Sequence, residues 1–193
     1  MDVESSESAA YPGSGNMQIP IDLFGSKEHH GLPRGTLAFA DDSGNIVYKV
    51  NRHNSSPKDK KFLLDASGNV IFSIHRNQKG SWKCYNGESN VEAEMVLRVQ
   101  RTVKKLNRVE LQVFYCGERS NGGEACDLIM RGSPCMRSCG IYKDTEIVAQ
   151  TSLMYKLHQI YASRGKFRIT IFPGTTDHAV IVALFVIFLN GRK

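Results

Sequence analysis

Hydrophobic and polar positions fall into two regimes along this chain. From Ile19 to Phe172 apolar residues come in short runs rich in Val, Ile, Phe and Tyr, broken by Gly, Asn, Asp and Ser at intervals typical of an antiparallel sheet. Then Ala179-Val180-Ile181-Val182-Ala183-Leu184-Phe185-Val186-Ile187-Phe188-Leu189 runs without one polar side chain. As a helix this run rises about 1.5 Å per residue, roughly 16 Å in all, against a hydrocarbon core of about 30 Å, so it is too short to span a membrane. A surface helix keeps a polar face, so a segment apolar on every side has to be enclosed by protein. Burying ten such side chains at about 1.5 to 3 kcal/mol each contributes on the order of 15 to 30 kcal/mol before entropy is subtracted.

Strand competes with helix here, because a short apolar run does not declare its period. Punctuation favours helix over 177–189. Pro173-Gly174 ends the strand-like Lys166 to Phe172, and Thr175, Thr176 and Asp177 offer N-cap oxygens. Gly191-Arg192-Lys193 follows with a stop and two cations for the negative end of the dipole. Upstream, Asp41-Asp42-Ser43-Gly44-Asn45-Ile46-Val47-Tyr48 returns as Asp65-Ala66-Ser67-Gly68-Asn69-Val70-Ile71-Phe72. Each reads as a hairpin: Thr36 to Ala40 turning into Ile46 to Val50, and Phe62 to Leu64 turning into Val70 to Arg76. Further strands are predicted at Trp82 to Tyr85, Ala93 to Arg101, Arg108 to Cys116, Asp127 to Arg131, Ser138 to Lys143, Glu146 to Leu153 and Lys166 to Phe172. An antiparallel barrel closed around the apolar helix satisfies both regimes, since closure removes edge strands and keeps the helix dry.

Several blocks of text also resemble the plant LURP-one-related family. They are Ile21-Asp22-Leu23-Phe24, Phe39-Ala40-Asp41-Asp42-Ser43-Gly44-Asn45, Leu64-Asp65-Ala66-Ser67-Gly68-Asn69, Arg131-Gly132-Ser133, Arg137-Ser138-Cys139-Gly140-Ile141-Tyr142, Val148-Ala149-Gln150, Phe172-Pro173-Gly174 and Val180-Ile181-Val182-Ala183-Leu184. The resemblance covers roughly residues 17 to 189. It implies the fold of the tubby C-terminal domain, a barrel of about twelve antiparallel strands threaded by the C-terminal helix, similar to phospholipid scramblases. It also implies a link to plant defence. One departure stands at the end, where Asn190-Gly191-Arg192-Lys193 follows the apolar run in place of acidic residues such as Asp-Glu.

Composition changes the picture at the amino terminus. Residues 1 to 16 are rich in Ser, Glu, Ala and Gly and read as a disordered tail ahead of a single domain over 17–193. Net charge is +6, and the tail's only charges are Asp2, Glu4 and Glu7, which leaves +9 for the remainder. That excess favours anionic partners. The start lacks a cationic and apolar leader and a myristoylation glycine, and five cysteines is an odd number. Together these predict a cytosolic or nuclear protein with free thiols, without a transmembrane span, at most peripheral to a membrane.

Candidate chemistry narrows the function classes. An EF-hand loop begun at Asp41 or Asp65 needs Gly at its sixth position and Glu at its twelfth, but meets Ile46 and Arg52, or Val70 and Arg76. Cys126, Cys135 and Cys139 lack the paired knuckle spacing of a zinc site, so free thiols are expected, and His29-His30 reads as a solvated loop pair. No nucleophile elbow, phosphate-binding loop, Rossmann glycine pattern or His-Glu-x-x-His helix is present, so neither an enzyme nor a cofactor is expected. What remains are basic clusters: Lys58, Lys60 and Lys61 in one loop, and Arg98, Arg101, Lys104, Lys105 and Arg108 around the turn between two strands. Together they form a candidate anion site, which the resemblance points toward phosphoinositide headgroups, because tubby-like domains bind these through basic barrel residues. Aromatics interleave these cations poorly, so nucleic acid is the weaker partner.

The leading expectation is a non-enzymatic binding or signalling module that touches anionic phospholipid and a protein partner the sequence does not name. A scramblase-like protein inserting its C-terminal segment, and a hydrolase with an unrecognised site, are the alternatives.

Overall fold

The computed structural model describes residues 19–29, 31–51, 60–77, 80–105, 108–117, 125–153, 166–174 and 176–190, with only the backbone for Lys104 and Leu153. The expected tail at residues 1–16, the loop cation Lys58, and Gly191 to Lys193 lie outside the described residues.

Among the described residues twelve strands run in chain order: β1 (Ile21–Ser26), β2 (Leu37–Ala40), β3 (Ile46–Asn51), β4 (Lys60–Leu64), β5 (Val70–Asn77), β6 (Ser81–Asn86), β7 (Met95–Lys105), β8 (Arg108–Tyr115), β9 (Leu128–Ser133), β10 (Ser138–Lys143), β11 (Glu146–Leu153) and β12 (Lys166–Ile171), followed by α1 (His178–Asn190). Every strand pairs antiparallel with its chain neighbours, and β1 pairs with β12 from Ile21↔Ile171 to Ser26↔Lys166, closing the barrel. Alternation decides which side chains fill it. On β8 Val109, Leu111 and Val113 are buried while Arg108, Glu110 and Gln112 point the other way, and β12 buries Phe167, Ile169 and Ile171 in the same fashion.

The expected helix is α1, and it is enclosed: every residue from Ala179 to Phe188 is 6% exposed or less. Asp177 provides the N-cap, its Oδ1 accepting the Ala179 amide at 2.8 Å while its carbonyl accepts Ile181 N–H at 3.2 Å. Phe185 meets barrel-wall rings at 4.7 Å (Phe167) and 6.4 Å (Phe39) between centroids. The helix is the core around which the wall closes.

The repeated loops are hairpins of one design. Asp41 Oδ1 accepts Asn45 N–H at 2.8 Å and Oδ2 accepts the Asn45 side-chain amide at 3.1 Å; Asp65 does the same for Asn69, both at 2.9 Å. Gly44 and Gly68 take φ of 86° and 95°, where a side chain would be strained. The carboxylates of Asp41 and Asp65 each bridge the backbone and side chain of the asparagine four residues on.

Three elements differ from expectation. β4 begins at Lys60, two residues before the expected Phe62, so Lys60 and Lys61 lie on a strand and not in a loop, held there by pairing of Lys60 with His75 and Lys61 with Ile74. β1 was not predicted as a strand: Gly25 and Ser26 are weak strand formers, yet Gly25 is buried because the Phe167 ring needs the space. β7 runs past Arg101 to Lys105, continuing through a register shift between Arg101 and Val103, so its basic residues lie on a strand and not in a loop.

Candidate anion-binding end of the barrel

An up-and-down barrel sorts its connections by parity, so those after odd-numbered strands gather at one end. Helix α1 enters at the other end, after β12, and finishes among the first set. On that first end the described strand termini and connections carry Lys27, Arg34, Lys60, Lys61, Lys105, Arg108, Arg137 and Lys166 against Glu28. On the end where α1 begins stand Asp41, Asp42, Asp65, Glu88, Glu92, Glu94, Asp127, Asp144, Glu146 and Asp177 against Lys143. Among the described residues the two ends have opposite charge.

At the basic end a cleft of about 860 Å³ opens beside the last turn of α1. Lys27, Arg34, Lys61 and Arg137 line it together with Thr36, Asn51, Leu189 and Asn190, and among its described lining residues there is no carboxylate, histidine, cysteine or tyrosine. Each cation is placed by a local feature. Lys27 directly follows β1, where Ser26 Oγ accepts Glu28 N–H at 3.0 Å. Arg34 is the second residue of a turn closed by Thr36 N–H to the Pro33 carbonyl at 3.1 Å, with Gly35 at φ 85° as that turn type requires. Lys61 shares the inward parity of Leu63 on β4.

Arg137 is held most firmly. It sits in the β9–β10 turn at φ 48°, a left-handed conformation that costs a non-glycine residue on the order of 1 kcal/mol or more. Its carbonyl accepts the buried Thr151 hydroxyl at 2.9 Å, and the same Oγ1 accepts Cys139 N–H at 2.9 Å. Its guanidinium stands 5.5 Å over the Phe167 ring.

Of the described cations singled out in the sequence, Lys61 alone lines this cleft. Lys60 faces outward, its Nζ 5.0 Å over the Phe62 ring and close enough to His75 to add to the burial that lowers that imidazole's pKa. Arg98 lies outside on β7, 4.7 Å over Phe114, whereas Arg101 has the opposite parity and its guanidinium covers Gly80. Lys105 and Arg108 face each other across the β7–β8 turn, with Lys104 beside them on the strand. β4 and β7 are separated by β5 and β6, about 14 Å along the wall, so the two clusters do not make one pocket. Lys27, Arg34 and Arg137 were missed. The Pro33-Arg34-Gly35-Thr36 turn was a readable signal for Arg34; the others converge only through barrel closure.

Two of the cysteines are shielded by the wall. Burial pushes the Cys84 and Cys139 thiols up to about 12, so both stay protonated near neutral pH. Cys135 is exposed while Cys139 is buried, so the two do not share one environment.

The comparisons with known proteins agree with this architecture. A family described as LURP-one-related matches residues 21–189. Protein LURP-one-related 7 of Arabidopsis thaliana is 44% identical over 187 residues, spanning 96% of this chain and 98% of that protein. An X-ray structure of a protein from Arabidopsis thaliana superposes with a TM-score of 0.66 at 28% identity, covering 89% of this chain and 90% of that one.

Proposed function

This chain belongs to the LURP-one-related family, and from that premise we propose that it is a non-catalytic binding module whose basic end docks on anionic phospholipid. The observation that carries the reading is the opposition of charge between the barrel ends. Near an anionic surface each cation contributes about 1 kcal/mol, and the acidic end is repelled, so the module settles with α1's C-terminus toward the membrane. Cations spread over the whole end, too far apart for one pocket, still meet one membrane plane.

The cleft's described lining holds no carboxylate, histidine, cysteine or tyrosine, a set of cations and neutral donors that suits holding an anion more than acid–base chemistry. Insertion of α1, as a scramblase-like mode needs, would empty the barrel and uncover the inner wall it now packs against, Leu63, Leu111, Met130 and Ile169 among it. Among the described residues no helix is long and apolar enough to cross a membrane.

Cosedimentation with vesicles tests the proposal, neutral phosphatidylcholine against the same lipid with phosphatidylinositol bisphosphate. Binding to the anionic vesicles that fades as salt rises is expected. Changing Lys60, Lys105 and Arg108 together to Ala should weaken it about 100-fold. Equal recovery with both vesicles would defeat the proposal.

A further inference from the structure

We infer that the groove on the outer face of β1 and β2 is a docking site for a short segment of a partner protein in which a Lys or Arg neighbours an aliphatic or aromatic side chain. The inference goes beyond the membrane reading and does not rest on it.

Alternation of inward apolar and outward polar positions fails at this part of the wall. On β12 the outward residues are Lys166, Arg168 and Thr170, as a solvated face requires. β2 instead reads Leu37-Ala38-Phe39-Ala40 and is buried at all four positions. Leu37 and Phe39 belong to the core, whereas Ala38 and Ala40 face outward and are still only 0% and 4% exposed. Phe24 pairs with Ala40 and also faces outward, because Leu23 and Gly25 on either side of it point into the barrel. The His29 side chain accounts for part of this apolar stripe, its Nε2 donating to the Ala38 carbonyl at 3.2 Å. Beyond that ring, Phe24 and Ala40 line an open groove of about 390 Å³.

Charge decides the sign of the partner. Glu28, Asp41 and Asp42 line the groove against Lys166, on a chain whose net charge is +6. Lys166 lies across β1, opposite Ser26, while Asp41 and Asp42 directly follow Ala40, so the ammonium and these two carboxylates bound different ends. Asp41 accepts bonds from Asn45 with both oxygens. No described cation pairs with Glu28 or Asp42. A cationic side chain of a partner thus meets carboxylates without an ion pair at the rim of an apolar floor, an arrangement that confers specificity and speeds encounter.

Size separates the occupants. About 390 Å³ is at the small end of the range for ligand sites and suits one or two side chains. A second copy of this chain would need about 1,200–2,000 Å² of buried surface for a stable dimer, and Phe24 with Ala40 does not supply the apolar centre of such an interface. The chain's own residues 1–16 carry only Asp2, Glu4 and Glu7, of the same sign as the rim. A short basic segment of another protein answers both size and charge.

The test pans a random heptapeptide phage library on the full-length protein and measures the enriched peptides, synthesised with a fluorescent label, by anisotropy. Peptides with Lys or Arg beside Leu, Ile, Val, Met or Phe are expected. Glu28→Lys with Asp42→Lys, both at exposed positions, should weaken them about tenfold, and Phe24→Thr should do the same by removing the apolar contact. Glu146→Lys, exposed at the start of β11, should leave affinity within about twofold. Amide shifts on peptide addition should centre on Phe24, Ser26 and Ala40. No enrichment of basic peptides, or binding that survives both the double charge reversal and Phe24→Thr in folded protein, would overturn the inference. So would displacement of the peptides by a synthetic peptide of residues 1–16, which would assign the groove to the chain's own amino terminus, or a dimer dissolved by Phe24→Thr in sedimentation, which would assign it to a second copy.

Discussion

The ring of Phe167 occupies the space that a Cβ on Gly25 would fill. β1 and β12 pair at this point, Gly25 opposite Phe167, so the missing side chain on one strand admits the aromatic ring of the other across the closure of the barrel. That ring then reaches Phe39 at 6.0 Å and Phe185 at 4.7 Å, and the wall is locked to the helix through it.

Gly25→Ala should therefore destabilise the protein by about 1–3 kcal/mol through overpacking. Chemical denaturation measures this. Because the clash is with one ring, Phe167→Leu in the Gly25→Ala background should cost less than the two single changes summed; simple additivity would contradict the account.

Thr151 bonds both Cys139 N–H and the Arg137 carbonyl through one hydroxyl. Thr151→Val leaves a buried N–H without its acceptor, a loss of about 1–3 kcal/mol. Thermal melts should show Tm falling by roughly 2–4 °C per kcal/mol for a chain of this size. An unchanged Tm would mean the turn holds itself.

Asp41 and Asp65 are held below the ordinary value of 3.8, first by the side-chain amides of Asn45 and Asn69 and then by their backbone N–H groups. Since the folded state lowers these values, the stability they contribute is present above the ordinary value and is lost as pH falls through the folded one. Asp41→Ala with Asp65→Ala should lower Tm at neutral pH, and the gap to the unaltered protein should close on acidification. A gap constant with pH would show that the bonds to the charged form contribute little.

Membrane docking should leave α1 where it is. Hydrogen exchange at the amides of Val182 to Phe185, whose side chains are fully buried, is expected to stay as slow with anionic vesicles as without them. Faster exchange there on vesicle addition would revive the inserting mode.

Thiol labelling offers an independent check on the wall. Cys135 is exposed, whereas Cys84 and Cys139 are buried and protonated, so under native conditions Cys135 should modify well before either of them. Modification of Cys84 or Cys139 at a matching rate would mean that the barrel opens.

Much of this fold is readable locally. The run from Ala179 to Leu189 announces a buried helix by having no polar side, and the paired Asp-x-Ser-Gly-Asn loops announce hairpins through residues that accept positive φ. β1 escapes because its glycine is chosen for Phe167, more than 140 residues later in the chain. The candidate site is harder to read for the same reason. Lys60 and Lys61 are adjacent in sequence, yet strand alternation sends them to opposite faces, and counting from Leu63 would have shown this. Lys27, Arg34 and Arg137 meet only because β1 and β12 close the wall, and the basic tally in the sequence, which weighs runs of like charge, passes over single cations in separate turns.

Placing the filling of the barrel after all the strands of its wall has a consequence for biosynthesis. At about 5–20 residues per second the twelve strands leave the ribosome before α1 exists, and their inner faces have nothing to close upon. A wall with no centre exposes Leu63, Leu111, Met130 and Ile169 to water together. The nascent chain must then wait, partly collapsed or chaperone-held, until α1 emerges, so closure of the barrel is decided by a segment made after all twelve strands.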